Sequence, residues 1–204
     1  MFYDVFHLII FVIAKLFFRI KVIGHSNIPN KDGVIIAANH VSYLDPPFIG
    51  CVICRRANFM ARDDLFRNPV FAWILRNCKS FPVKRGTGDS GAIKEAVRRL
   101  KKGEPVLLFP EGTRSKDGNL REGRPGVGMI VALSGAKVVP AFIKGPEEVL
   151  PKDSKKIRFK KVTVAFGKPI DFKEMIEKNR GDKKMFDNIT HEIMKGIAEL
   201  KEAL

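Results

Sequence analysis

The stretch that decides the fold is Val34-Ile35-Ile36-Ala37-Ala38-Asn39-His40-Val41-Ser42-Tyr43-Leu44-Asp45-Pro46-Pro47. Its first five residues are an unbroken apolar run entered from the turn Pro29-Asn30-Lys31-Asp32-Gly33. Such a run predicts a strand covered on both faces, as in a parallel sheet. Asp45-Pro46-Pro47 then predicts a helix start, with Asp45 as N-cap and proline in the first turn. Outward from there the same alternation recurs. Asn68-Pro69 opens a helix around residues 70–75, and residues 90–102 repeat apolar positions at three and four before Gly103. Residues 106–109 read as a second buried strand, 127–133 as an apolar helix ended by Gly135, and 138–143 and 162–166 as further strands. Residues 185–204 read as a terminal amphipathic helix. The expected class is α/β, with a mainly parallel central sheet flanked by helices.

Composition narrows the partners. The chain has 204 residues, enough for one domain with a real core, and its formal net charge is +15. That charge favours nucleic acid, an anionic membrane or phosphorylated substrates. A hydrophobic content of 45% excludes a disordered basic tail. Three cysteines cannot build a disulfide framework. Cys51 and Cys54 form a Cys-x-x-Cys inside an apolar segment with no further ligand pair at metal spacing, so packing is the expected role. Residues 152–161 read as a solvated basic loop.

Residues 1–20 form a separate feature, an expected interfacial helical segment ahead of a domain over residues 21–204. The segment is strongly apolar but carries Asp4, His7, Lys15 and Arg19, and its longest clean run is only residues 8–14. That is too short to span a bilayer, and the charges follow the run rather than precede it as in a secretory signal. At 100° per residue the four polar groups share one arc, opposite Phe2, Phe6, Ile9, Ile10, Val12, Ile13, Leu16 and Phe17. The pattern predicts an amphipathic helix lying in a membrane interface with its charges toward the headgroups.

The residues able to do chemistry follow the strands. His40 stands directly after the first buried run, at the strand end where α/β sheets place their sites. A general base needs a carboxylate on its other ring nitrogen, and Asp45 lies five residues on. An isolated pair of this kind is more often a turn histidine beside a capping aspartate. A second cluster, Phe109-Pro110-Glu111-Gly112-Thr113-Arg114, follows the second buried strand and so belongs on the same rim. Glu and Arg beside Gly offer a carboxylate, a forked cation and close backbone approach. Phe81-Pro82-Val83-Lys84-Arg85-Gly86 is a further basic turn, and Val139-Pro140 lies within a strand.

These four blocks, in this order, resemble the glycerolipid acyltransferases typified by bacterial 1-acyl-sn-glycerol-3-phosphate acyltransferases. The resemblance covers about residues 20–170. It implies His40 as the base and Asp45 as its orienting partner, with Asn39 and Ser42 in support. It implies Arg85 as the phosphate holder, with Glu111 and Arg114 positioning the glycerol phosphate and Gly112 giving the turn its room. Many members carry Phe-Lys-Lys-Gly after the third block; here Arg124 keeps one cation there. Thr113 in the third block resembles the lysophosphatidate enzymes. Val139 and Pro140 would support the site, through backbone groups near the thioester oxygen.

The implied reaction moves an acyl chain from acyl-CoA or acyl carrier protein to the free hydroxyl of lysophosphatidic acid, giving phosphatidic acid. It needs no cofactor and no metal, because the thioester is already activated. The implied setting is the cytoplasmic face of the cell membrane, peripheral or monotopic, against anionic lipids. Other acceptors, glycerol 3-phosphate or another lysophospholipid, are the alternatives within the class. Outside it stands a non-catalytic basic protein binding membranes or nucleic acid. Nucleic acid is disfavoured, because the phenylalanines sit in apolar runs rather than interleaved with cations.

Overall fold

A computed structural model describes residues 2–84, 88–115, 117–151, 156–179, 182 and 184–204. Strand β2 (Val34–Ala38) is the middle of the molecule, and all five of its residues are buried. Its side chains alternate between two cores. Val34, Ile36 and Ala38 meet helices α1 (Phe2–Phe18) and α2 (Asp45–Gly50) on one face. Ile35 and Ala37 meet α4 (Ser90–Lys101), α5 (Pro125–Ser134) and α8 (Lys184–Glu202) on the other. Double coverage is what the unbroken apolar run required.

The remaining elements are β1 (Lys21–Ile23), β3 (Asn58–Arg62), α3 (Pro69–Asn77), β4 (Ser80–Val83), β5 (Val106–Leu108), β6 (Lys137–Lys144), α6 (Pro146–Val149), β7 (Thr163–Phe166) and α7 (Lys173–Lys178). The sheet has seven strands in the order β1-β7-β6-β2-β5-β3-β4. Every neighbouring pair is parallel except β6 and β7. The fold is therefore α/β with a mostly parallel sheet flanked by helices, as the sequence predicts.

Local chemistry starts the helices where the sequence marks them. Asn68 caps α3 by accepting from the Val70 and Phe71 N–H groups, and Asp89 caps α4 in the same way. Gly128 lets α5 lie against α8; a Cβ there would sit 2.1 Å from the Phe186 carbonyl oxygen.

Three differences from the expectations have physical causes. The strands β1, β3 and β4 carry little sequence signal: β1 has three residues, β3 mixes Asn58 and Arg62 with apolar groups, and β4 contains Pro82. Proline is tolerated there because β4 is an edge strand. Asp45 is not the N-cap of α2; Leu44 occupies that position without a side-chain cap, and the Asp45 carboxylate turns back toward the preceding loop.

The third difference concerns α1. Its inner side carries Tyr3, Phe6, His7, Ile10, Ala14 and Phe18, with Ala14 and Phe18 buried in the core. The polar groups do not all share one outward side. Asp4 is exposed and pairs with Arg56, while the His7 ring is part-buried and bonds the Ile53 carbonyl at 3.2 Å. What faces outward is mainly apolar: Val5, Leu8, Ile9, Val12, Leu16 and Phe17, with Lys15 beside them. Among the described residues no helix is long and apolar enough to cross a membrane. The helix also runs directly into the sheet, since Lys21 N–H donates to the Val162 carbonyl and Val162 N–H to that of Phe18.

The two cysteines of the Cys-x-x-Cys part company. Cys51 is buried, its thiol donates to the Phe48 carbonyl, and burial pushes its pKa up to about 12. Cys54 is exposed, with its sulfur 3.2 Å from His25 Nε2.

Candidate active site

β2 ends one residue before Asn39, whose side chain fixes the strand end to β6. Asn39 Nδ2 donates to the Ile143 carbonyl at 3.0 Å and its Oδ1 accepts from the Ile143 N–H at 2.7 Å. The chain then turns, and the Asp45 carboxylate holds the turn. Its Oδ2 accepts from His40 Nδ1 at 2.7 Å, from Val41 N–H at 2.7 Å and from Ser42 N–H at 2.8 Å. Asp45 is fully buried, and its Oδ1 has no hydrogen-bond partner among the described residues. Ser42 Oγ accepts from Leu44 N–H, a turn contact as expected from its type. Bonding at Nδ1 fixes the ring tautomer with the acceptor nitrogen at Nε2.

A second loop, after β5, holds the first. Glu111 is 3% exposed. Its Oε1 accepts from the His40 backbone N–H at 2.9 Å, and its Oε2 from that of Arg121 at 3.3 Å. Ser115 N–H returns a bond to the His40 carbonyl at 2.7 Å. Phe109 stacks on the imidazole, ring centroids 4.0 Å apart. Burial raises the Glu111 carboxyl above the usual range, against the opposing pull of the His40 and Arg121 N–H groups.

His40 stands between two cavities. The first, about 350 Å³, is walled by Tyr3, Phe6 and Ile10 of α1, Pro46, Pro47 and Gly50 of α2, Phe59 and Met60 of β3, and Ile74 and Leu75 of α3. Arg114 lies at this cavity too, its guanidinium 3.4 Å above the Tyr43 ring. The second, about 250 Å³, contains Arg62, Lys84, Gly112 and Arg124 together with His40. The first cavity, mainly apolar, also holds Arg62; the second sets Arg62, Lys84 and Arg124 beside Asp89 and apolar groups; the two meet at one imidazole. That is the environment a base needs to serve a substrate with a long chain at one end and a phosphate at the other.

Residues 19–144 match the family described as Acyltransferase. The chain belongs to that family. The chloroplastic 1-acyl-sn-glycerol-3-phosphate acyltransferase LPAT1 of Arabidopsis thaliana is 32% identical over 76% of this chain and 44% of its own length. The chain therefore spans under half of that relative. The 1-acyl-sn-glycerol-3-phosphate acyltransferase of Bacillus subtilis is 32% identical over 83% of this chain and 84% of its own length. Among solved structures, the 1-acyl-sn-glycerophosphate (LPA) acyltransferase PlsC of Thermotoga maritima superposes with a TM-score of 0.74 at 27% identity. That match covers 96% of this chain and 79% of the other.

Within this acyltransferase fold the expected residues divide. His40, Gly112, Arg114 and Arg124 line the cavities. Asn39, Ser42, Asp45 and Glu111 stand behind them, holding the loops. Thr113 lines neither cavity and accepts from Arg121 at 2.8 Å. Val139 and Pro140 lie mid-strand, paired with Ile36 and Ala37, and the Pro140 carbonyl is taken by the Gly167 N–H. Neither is among the residues that line the two cavities. Arg85 lies outside the described residues.

Gly112 has φ +69°, and a Cβ there would come within 2.9 Å of Arg124 Cδ. Two cations join the site beyond the residues expected there: Arg62 at the end of β3, and Lys84, which lies in the basic turn after β4. Their signal was a basic residue closing a short apolar stretch, the same signal that marked Arg85.

Proposed function

We propose that the chain transfers an acyl group from an acyl thioester, acyl-CoA or acyl carrier protein, to the free hydroxyl of 1-acylglycerol 3-phosphate, giving phosphatidic acid. The observation that carries the reading is His40 at the meeting of the two cavities, with Nδ1 held by a buried carboxylate. The relatives named above act on this acceptor class by their names.

In this reading His40 Nε2 removes the hydroxyl proton as the oxygen attacks the thioester carbonyl. The tetrahedral species collapses, the C–S bond breaks, and the imidazolium returns its proton to the leaving thiolate. Asp45 keeps the tautomer and stabilises the imidazolium. A base of this kind supplies about 10²–10⁴-fold, so positioning supplies much of the remainder. Lys84 and Arg124, together with Arg85, receive the acceptor phosphate, with Arg62, itself paired with Asp64, beside them, and the apolar cavity receives an acyl chain. Glu111 acts as a clamp between the His40 and Arg121 loops, since both its oxygens are engaged there.

Residues 1–20 serve as a membrane-facing segment on a domain of residues 21–204. It lies flat on anionic lipid at the cytoplasmic face of the cell membrane, peripheral or monotopic. The test is a panel of lysolipids and glycerol 3-phosphate against acyl-CoA and acyl carrier protein donors, with products weighed by mass spectrometry. Phosphatidic acid from 1-acylglycerol 3-phosphate supports the reading. Transfer only to glycerol 3-phosphate or to a lysolipid with another headgroup overturns the acceptor assignment.

A further inference from the structure

Helix α3 has two sides with different fates. Ile74 and Leu75 wall the apolar cavity, while Val70, Phe71 and Trp73 are each more than half exposed. Trp73 is the chain's single tryptophan. It meets Phe2 of α1 edge-on, with ring centroids 4.8 Å apart. Through this contact the exposed side of α3 abuts the N-terminal end of α1.

The other end of α1 is extended too. Phe17 packs on Phe159 at 5.4 Å, and both stay exposed. Phe159 belongs to the exposed stretch Ile157-Arg158-Phe159-Lys160-Lys161. Exposed apolar side chains therefore continue past α1 at both of its ends.

Cations flank these side chains. Arg158, Lys160 and Lys161 stand beside Phe159, and Lys15 lies along α1. Arg67 precedes α3 and Arg76 sits in its last turn, both exposed. Ahead of α3, the Asp64 carboxylate is already held by Arg62. A second copy docking here would bring these cations against like charges. An anionic leaflet takes apolar side chains into its acyl boundary and cations at its phosphates. Tryptophan favours the headgroup level between the two.

We propose that α3 and the 157–161 stretch are two further contacts that, with α1, set the protein on an anionic phospholipid leaflet. Trp73 then lies at headgroup depth, and the apolar cavity walled by α1 and α3 lies against lipid. The proposal rests on the reading of α1 as lipid-facing and adds the two surfaces that would complete it.

The single tryptophan makes its own probe. Vesicles of phosphatidylcholine mixed with phosphatidylglycerol should shift Trp73 emission to the blue, and lipids brominated high on their acyl chains should quench it. The double variant Val70→Asp/Phe71→Asp keeps the Asn68 cap and puts its carboxylates in the first turn, where the helix dipole favours them. It should partition at least about tenfold more weakly, given the apolar area it removes. Its turnover of short-chain, water-soluble substrates should stay at the wild-type level.

Protein that sediments with the vesicles while Trp73 remains open to aqueous acrylamide overturns the α3 contact and leaves α1 standing. Failure to sediment at all overturns both readings. Concentration-dependent self-association that shields Trp73 without lipid assigns the face to a second copy and also overturns the proposal. A Leu8→Ser/Leu16→Ser variant, altered only on the outer side of α1, should lose binding independently of α3.

Discussion

Glu111 separates a positioning role from a binding one, and Glu111→Ala is the perturbation that reads the difference. The carboxylate joins two backbone N–H groups that are 81 positions apart in the chain, those of His40 and Arg121. Removing it leaves the His40 N–H beside a void and without its acceptor, which costs about 1–3 kcal/mol of stability. The larger effect is on the ring. A displacement of about 1 Å in a catalytic group lowers turnover on the order of 10²-fold, so kcat should fall by that much while KM for the acceptor holds.

A direct ligand to the acceptor behaves in the opposite way. Losing one charge-assisted hydrogen bond of about 1.5–3 kcal/mol raises KM by roughly 10–10²-fold and spares kcat. Initial-rate assays over acceptor concentration, with the thermal unfolding midpoint measured alongside, decide between the two. Glu111→Gln sharpens the test, because its Oε1 can still accept from His40 while its amide meets a second donor at Arg121. It should recover part of kcat. A raised KM with unchanged kcat in either variant refutes the clamp.

Other outcomes follow from the same geometry. Asp45→Asn keeps an acceptor for the two turn N–H groups but removes the charge opposite the imidazolium. At an effective dielectric near 20 that pairing is worth about 4 kcal/mol, so kcat should fall on the order of 10³-fold while the circular dichroism spectrum stays native. Gly112→Ala forces a side chain into φ +69° against Arg124; stability should drop by about 1–2 kcal/mol in denaturant melts, and acceptor KM should rise. Glu95 is held down to about 2 by bonds to Arg98 and Arg99. Glu95→Gln should therefore lower the melting temperature at neutral pH, and the gap should close as acid takes the wild-type protein from the ordinary Glu range toward about 2. Glu111 has the opposite sign, because burial raises its carboxyl. The folded state keeps its proton after the unfolded chain has released it, so wild type should lose stability relative to Glu111→Gln as pH rises through that interval.

The parts of the fold that declared themselves in sequence are those whose burial is continuous or periodic. β2, β5 and β6 are covered on both faces and read as unbroken apolar runs. The helix over residues 90–101 repeats its buried Ala92, Ala96 and Leu100 at spacings of four. β1, β3 and β4 form because neighbours pair with them, and nothing local to Lys21-Val22-Ile23 or Asn58-Phe59-Met60 requires a strand. The site divides along the same line. The His40–Asp45 link spans five residues and was visible as spacing. Glu111 meets His40 across 71 residues because β5 lies beside β2, so its side chain serves the backbone rather than the cleft. Arg62 is not legible in the sequence for a related reason, since its place at the cleft depends on β3 being a strand. The outward face of α1 was legible as apolar, but the partners of Asp4 and His7 lie more than forty residues away and could not be read from a helical wheel.

The most direct measurement is acyl transfer to 1-acylglycerol 3-phosphate from an acyl thioester by wild type and by His40→Ala, with phosphatidic acid detected by mass spectrometry. The account predicts product from the wild type and a loss on the order of 10²–10⁴-fold in the folded variant. Equal product from both, or none from the wild type with any acceptor, would contradict it.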